Sequence, residues 1–275
     1  MKPVKNLKKL FGAALAASAL ILTGCGGSSD TATEAASAPL KIGVISGPET
    51  DVMKAALEKA KKDSGLEAEL VEFQDYITPN VALSDKSIDV NAIQHKPYLD
   101  SMVNDRGFKL TIVGNTFVYP IAAFSEKFDE LDELPDSAKI SIPNDPSNEG
   151  RSLILLHNTG LITLKDPGNL EATPKDIIGN PKNLKFVELE APLLPRSLQD
   201  VDLSVINNTF AVPAGLTLDK AILVEDKKSP YVNIIVSRED NKDDPRIAQL
   251  VAAYQSDEVA SVATDLFKGG AVKGW

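Results

Sequence analysis

Apolar runs with the spacing of short strands alternate with helical patterns along most of the chain. The first pair is a strand over 41–46 and a helix that ends at Gly65, since glycine commonly follows the last helical residue. Further strands are predicted at 66–73, 88–95, 110–113, 117–124, 139–142, 184–189, 201–206 and 231–237. This alternation of strands and helices predicts an α/β fold with a mainly parallel sheet covered on both faces.

Two turn-rich segments, one after residue 125 and one before residue 230, interrupt the alternation. They indicate that the chain leaves a first lobe, builds a second and then returns. Two crossings of this kind form a hinge beside a cleft between the lobes. We therefore predict a first lobe made of 40–128 and 229–275, and a second lobe made of 129–228.

The N-terminal residues have the pattern of a bacterial lipoprotein signal peptide. Lysines at positions 2, 5, 8 and 9 precede an apolar run over 10–22 that is too short to remain a membrane-spanning helix. The run ends in Leu-Thr-Gly-Cys25, which resembles a lipobox, where the cysteine thiol receives a diacylglyceryl group. We predict a signal peptide over 1–24, a flexible tether over 25–39, and a lipid-anchored protein of the bacterial cell envelope.

Charge and composition exclude several classes of function. Without the four signal-peptide lysines, 25 basic residues (29 less 4) face 39 acidic ones, a formal charge of −14, which argues against nucleic acid as a partner. With His95 and His157 as its only histidines and Cys25 as its only cysteine, the chain lacks ligands for a metal site. It also has no nucleophile elbow, phosphate loop or HExxH motif. We predict a binding protein without a cofactor rather than an enzyme.

His95 is a candidate binding residue because of its position. It ends a predicted strand just before Pro97, which suits the first turn of a helix, and open α/β sheets bind ligands at this edge. A period of two places Asn91, Ile93 and His95 on one face of the strand. The same position would also suit a histidine that only hydrogen-bonds a loop.

Arg151 is the second candidate. We predict that it lies in the first turn of a helix over 151–159, where the helix dipole disfavours a cation. A helix N-terminus together with this guanidinium would suit a ligand carboxylate. The alternative is an ion pair with Glu149 or Asp145, and Arg196 is the reserve candidate.

Three asparagines complete the candidate site. Asn207 and Asn208 follow the apolar strand that ends at residue 206, again at a carboxyl edge. Asn233 interrupts another strand, where asparagine is rare and needs a polar partner or a ligand. The alternatives are a turn for the first two and a buried backbone clamp for the third.

Several longer strings resemble one known family over the chain from the lipobox to the last residue. These strings are LVEFQDY ending at Tyr76, QHKPYLD, VGNTFVYP, PNDPSNEGR ending at Arg151, ELEAP and the C-terminal GGAVKGW. They are similar to the methionine-binding lipoproteins of ABC importers, the NlpA family. The resemblance implies a two-lobed periplasmic-binding-protein fold, type II-like, that closes on methionine in the interlobe cleft.

By position, the resemblance implies that Tyr76, His95 and Tyr98 surround the ligand side chain. It also implies that Ile93 faces the thioether, at a place where similar sequences often carry phenylalanine. Aromatic rings contact sulfur favourably, so this position bears on the preference for methionine.

The resemblance further implies that Arg151 holds the ligand carboxylate, while Asn207 and Asn233 bind the polar end of the amino acid. The implied partners are methionine, a membrane permease and the ATPase that drives it. The alternative is a surface lipoprotein that acts through protein contacts, as an adhesin or an assembly factor.

Overall fold

The computed structural model of the chain describes residues 38–226 and 229–275. The predicted signal peptide, Cys25 and all but the last two residues of the predicted tether lie outside those ranges. Among the helices described, none is both long enough and apolar enough to cross a membrane.

The helices and strands fall into three consecutive parts of the chain. The first part contains β1 (Leu40–Ile45), α1 (Pro48–Ser64), β2 (Ala68–Phe73), α2 (Thr78–Ser84), β3 (Val90–His95), α3 (Lys96–Arg106) and β4 (Leu110–Val118). The middle part contains β5 (Ala122–Phe124), β6 (Lys139–Pro143), α4 (Pro146–Asn158), β7 (Thr163–Leu164), β8 (Ile177–Gly179), β9 (Lys185–Leu189), α5 (Leu194–Ser197), β10 (Leu203–Ile206), α6 (Asn208–Ala211) and β11 (Leu223–Val224). The last part contains β12 (Val232–Arg238), α7 (Pro245–Tyr254), α8 (Asp257–Leu266) and β13 (Val272–Lys273).

These strands form two main sheets, one in each lobe. The first has six strands in the order β13-β4-β12-β3-β1-β2, and the second has five in the order β11-β5-β10-β6-β9. Strands β7 and β8 pair separately as a small antiparallel ribbon. The chain therefore passes to the second sheet after Val118 and returns to the first before Val232.

The first sheet is mixed. Strands β1 to β4 run in one direction, whereas β12 lies antiparallel between β3 and β4. It enters this position because the chain returns from the second lobe. The strand order thus depends on the crossing between lobes, and the local pattern carries no signal for it.

The single strand predicted over 117–124 is wrong, since its two halves belong to different sheets. Strand β4 continues through Val118, and β5 begins at Ala122 in the second sheet. Pro120 stands between them and has no N–H to donate to a sheet ladder. The lobe boundary that we proposed at residue 128 therefore falls after the first strand of the second sheet.

Helix ends agree with local sequence signals at several places. Gly65 and Gly107 follow α1 and α3 in the left-handed conformation, which glycine adopts without steric cost. The side chains of Asp244 and Ser256 accept hydrogen bonds from backbone N–H groups at the starts of α7 and α8. The helix end predicted at Gly65 is confirmed.

Apolar clusters cover both faces of each main sheet. In the first lobe, α1, α7 and α8 pack on one face, and α2 and α3 pack on the other. In the second lobe, α4 covers one face, and α5 and α6 cover the other. Because helices cover both faces of each main sheet, a ligand can bind only at the sheet edges or between the lobes.

The C-terminal GGAVKGW string packs against β4. Strand β13 pairs with β4, the backbone N–H of Gly274 donates to the Thr116 carbonyl over 2.9 Å, and the Trp275 ring contacts Phe117 with centroids 5.0 Å apart. A side chain at Gly274 would meet that Thr116 oxygen at 2.6 Å. The string therefore closes the edge of the first sheet.

A bulge in β3 changes which of its residues share a face. Ala92 and Ile93 together stand opposite the single residue Ile235 of β12. As a result, Asn91 and Gln94 lie on the same side, and the Gln94 amide donates to Asn91 Oδ1 over 3.0 Å. The predicted common face of Asn91 with Ile93 and His95 is wrong, because the extra residue interrupts the period of two.

Candidate ligand-binding site

A small cavity of about 20 Å³ lies between the two lobes. First-lobe residues reach it from β3, α3 and β12, and second-lobe residues reach it from α4 and the end of β10. All the residues predicted to bind the ligand line this one cavity: Tyr76, Ile93, His95, Tyr98, Arg151, Asn207 and Asn233. The candidate Asn208 also lines it, as do four further residues: Gln94, Tyr119, Asn148 and Thr209.

His95 is a neutral hydrogen-bonding residue that contacts both lobes. Its Nδ1 accepts from the backbone N–H of Tyr98 at the start of α3, over 3.2 Å, so the ring proton belongs on Nε2. Nε2 then donates to Asn148 Oδ1 of the second lobe, also over 3.2 Å. Burial lowers the pKa of His95 to about 3, and the nearby Arg151 charge acts in the same direction.

Asn148 connects the predicted site residues, although the sequence interpretation gave it no role. Its Oδ1 accepts from both His95 and the Asn207 amide, the latter over 2.8 Å. Its own amide donates to Asp145, whose carboxylate also caps α4. In the sequence, Asn148 was marked only by its place in the family-like string that ends at Arg151.

Helix α4 begins earlier than predicted, and this moves Arg151 out of the first turn. Asp145 is the N-cap and Pro146 the first helical residue, an arrangement that proline favours. Arg151 is therefore the sixth residue of the helix, and Asp145 already satisfies the N-terminus. The predicted first-turn position of Arg151 is wrong.

Arg151 is 3% exposed and fixed by several contacts. Its Nε and Nη2 donate to the two oxygens of Glu225, over 2.9 and 2.5 Å, and Nη2 also donates to the Tyr119 carbonyl. The guanidinium carbon lies 4.4 Å from the Tyr231 ring centroid. The alternative partners Glu149 and Asp145 form no ion pair with it. Its hydrogen bonds within the described ranges come from Nε and Nη2, and none comes from Nη1.

Glu225 was also missed by the sequence interpretation. It stands at the return crossing between β11 and β12, 74 residues from Arg151. In the sequence it belongs to an acidic, turn-rich segment of the kind that is normally a solvated surface. The tertiary fold instead makes it the bidentate partner of the one charged residue that lines the cavity in the described part of the chain.

Unpartnered amide groups lie beside this cation. Asn207 Oδ1 and both amide atoms of Asn208 are buried, and no protein atom in the described part of the chain hydrogen-bonds them. Such groups cost free energy unless a ligand or water supplies a partner. Asn233 stands opposite His95 in the pairing of β12 with β3, so its side chain joins the same polar group.

Aromatic side chains form the opposite wall of the cavity. The Tyr76 ring contacts Tyr98 with centroids 5.9 Å apart, and it contacts Phe210 of the second lobe at 5.2 Å. Burial raises the pKa of both tyrosines, so they remain neutral at physiological pH. Ile93 is buried and lines the same cavity. The cavity therefore combines an apolar wall with a polar, cationic end, which suits an amino acid with an apolar side chain.

Across residues 38–226 and 229–275, no group of three or more His, Cys, Asp and Glu side chains is placed to hold an ion.

Comparisons with known proteins agree over the folded part of the chain. A family model described as NlpA lipoprotein matches residues 40–275. The D-methionine-binding lipoprotein MetQ of Escherichia coli strain K12 is 56% identical over 259 residues, which cover 93% of this chain and 94% of that protein.

Solved structures give the same result. A periplasmic substrate-binding protein of an ABC transporter from Coxiella burnetii is 47% identical, with a TM-score of 0.83, over 86% of this chain and 100% of that one. A nutrient-binding protein from Burkholderia cenocepacia, solved bound to methionine, is 44% identical with a TM-score of 0.83 over the same shares. These similarities confirm the predicted two-lobed periplasmic-binding-protein fold. They also confirm the prediction of a binding protein rather than an enzyme.

Proposed function

Since this chain belongs to the NlpA lipoprotein family, we propose that it captures methionine, as the D- or L-enantiomer, in its interlobe cavity. It then delivers the amino acid to the permease of an ABC transporter that an ATPase drives. The names of its relatives support both the ligand and the transporter.

One observation carries the proposal: a buried guanidinium and buried, unpartnered amide groups share a small cavity with an aromatic wall. In this proposal, Arg151 binds the ligand carboxylate through the side of its guanidinium that Glu225 leaves open. Asn207 and Asn233 bind the polar end of the amino acid, and Tyr76, His95, Tyr98 and Ile93 surround the thioether. A surface that acts only through protein contacts has no need of such a buried polar cluster.

We expect free methionine to stabilise the fold against heat, whereas methionine amide, which lacks the carboxylate, has a much smaller effect. At about 100 times the dissociation constant, binding adds about 2.7 kcal/mol to the free energy of unfolding. For a protein of this size that raises the Tm by roughly 5–10 °C. Differential scanning calorimetry of ligand-free protein with each enantiomer and each amide measures the effect.

Equal shifts with methionine and its amide, or no shift with either, would contradict the proposal. That result would favour the surface lipoprotein that acts through protein contacts. Mass spectrometry of whatever the denatured protein releases provides an independent identification of the ligand.

We also propose that Cys25 carries the lipid anchor and that the folded domain faces the periplasm or the cell exterior. Replacing Cys25 with alanine should leave the protein unlipidated, since no other thiol exists in the chain. One acyl chain alone binds a membrane only marginally, so multiple chains are expected in the wild type. Membrane fractionation and the mass of the N-terminal peptide measure the change, with Ser28→Ala in the tether as control. A membrane-bound, diacylated Cys25→Ala protein would refute the assignment.

A further inference from the structure

A buried glutamate connects the two lobes next to the cavity. Glu49 lies in the first turn of α1 in the first lobe and is 4% exposed. Its Oε1 accepts a hydrogen bond of 2.5 Å from the Thr209 hydroxyl of α6 in the second lobe, 160 residues away. Thr209 itself lines the cavity.

Glu49 has no cationic partner in the described part of the chain. No lysine, arginine or histidine there lies within ion-pair distance of it, unlike Glu225, which is paired with Arg151. The titratable groups that interact with Glu49 are the hydroxyls of Tyr76 from the loop after β2, Tyr119 from the crossing after β4, and Tyr254 from α7. Burial raises the pKa of each tyrosine, so none supplies a charge near neutral pH. A buried carboxylate without a cation is costly, and a cationic ligand group would remove that cost.

The hydrogen bond also sets the role of Thr209. Because its proton is donated to Glu49, the hydroxyl oxygen has only lone pairs left to offer to other groups. A hydroxyl fixed in this way is an acceptor, which suits an ammonium group and not a carboxylate.

We propose that Glu49 is the positioning residue for the ligand's α-ammonium group and acts through Thr209. This inference rests on the proposed function and deepens it. Arg151 holds the carboxylate of the zwitterion at one side of the cavity, and the Glu49–Thr209 pair holds the ammonium. Because the pair joins the two lobes, binding of the ammonium also favours the arrangement in which the lobes enclose the ligand.

The proposal has a pH signature with a defined sign. Burial raises the pKa of Glu49 to about 7, and the Thr209 hydrogen bond opposes part of that shift. The carboxylate is therefore largely protonated below neutral pH and ionised above it. An ammonium ligand prefers the ionised form, so methionine affinity rises as the pH increases through about 7. His95 does not contribute, since its pKa of about 3 keeps it neutral over this range.

The test compares methionine with its deaminated analogue, 4-(methylsulfanyl)butanoate, by titration calorimetry between pH 5.5 and 7.5. The ionised fraction of a group with a pKa near 7 falls from about three quarters to about 3% over this range. Wild-type protein should therefore lose roughly 10- to 25-fold in affinity for methionine as the pH falls. Its weaker affinity for the analogue should change far less. The analogue keeps the carboxylate, so it controls for other groups that titrate near Arg151.

Glu49→Gln should weaken methionine binding by roughly 10- to 100-fold at pH 7.5, the range for a hydrogen bond to a charged group. It should also remove the pH dependence and leave the affinity for the analogue within about twofold. Thr209→Ser keeps the hydroxyl and should bind methionine nearly as the wild type does, whereas Thr209→Val should resemble Glu49→Gln. Circular dichroism and the Tm of each variant establish whether it folds. If Glu49→Gln does not fold, the comparison of Thr209→Ser with Thr209→Val decides the question.

The outcomes separate this inference from the function on which it rests. If wild-type protein binds neither compound, the proposed function fails. If it binds methionine but Glu49→Gln or Thr209→Val binds both compounds as the wild type does, the role of Glu49 is overturned. Equal losses for methionine and the analogue would also overturn it, because they would indicate a purely structural effect.

Discussion

Arg151→Ala is expected to weaken methionine binding by about 2–5 kcal/mol, the usual cost of breaking a buried, hydrogen-bonded charge pair. That corresponds to roughly 30- to 4,000-fold in Kd. Arg151 is the only charged residue that lines the cavity in the described part of the chain. In the alanine variant the buried ligand carboxylate would therefore have no cationic partner. Calorimetric titration of ligand-free protein measures the loss.

Two further variants make the Arg151 result specific. Arg151→Lys keeps the charge but loses the planar fork that binds Glu225 through two nitrogens, so we expect an intermediate loss. Arg196→Ala removes an arginine from the short helix α5 of the same lobe, outside the cavity lining, and should leave binding unchanged. If Arg196→Ala loses methionine while Arg151→Ala does not, the assignment of the carboxylate site is wrong.

Arg151→Ala also leaves Glu225 without its partner at the return crossing. Glu225 is 12% exposed at its side chain, so a loss of stability accompanies the loss of binding. The double variant Arg151→Ala with Glu225→Gln removes the uncompensated charge. It should recover part of the Tm and none of the methionine affinity, which separates the two roles of Arg151.

Gly150→Ala is expected to destabilise the protein by about 3 kcal/mol, toward the upper end of the usual cost of overpacking. Gly150 lies inside α4, where intrinsic helix propensity alone would favour alanine by about 0.5–1 kcal/mol. In this fold alanine is destabilising instead, because an added Cβ would lie 2.3 Å from the backbone oxygen of Leu170 and 2.8 Å from the backbone N of Ala172. A loss of this size lowers the Tm by roughly 6–12 °C.

The same substitution should weaken methionine binding, because Asn148 and Arg151 lie on the helix that has to move. Gly168→Ala in the neighbouring loop is the control. Its added Cβ meets only the Asp166 carboxylate oxygen, at 3.2 Å, and we expect little change in Tm. A Gly150→Ala protein as stable as the wild type would show that α4 and the 170–172 backbone can separate at little cost.

The sequence by itself determined the features that depend on neighbouring residues. Gly65 and Gly107 end their helices, and Asp244 and Ser256 start theirs, because a cap requires only a few adjacent backbone groups. The family-like strings further predicted the two-lobed fold and the set of residues that line the cavity. Those strings also carry Asn148, but nothing in the local pattern indicated that its amide joins the lobes.

The tertiary structure alone decided the features that depend on distant residues. Strand β12 lies between β3 and β4, and its pairing with β3 contains the bulge at Ala92 and Ile93. The bulge places Asn91 on the face opposite to the one that alternation predicts. The Arg151–Glu225 and Thr209–Glu49 contacts join residues 74 and 160 positions apart. Their free energy depends on burial and geometry that exist only once the lobes have formed, so an acidic side chain that looks solvated in the sequence becomes part of the binding site in the fold.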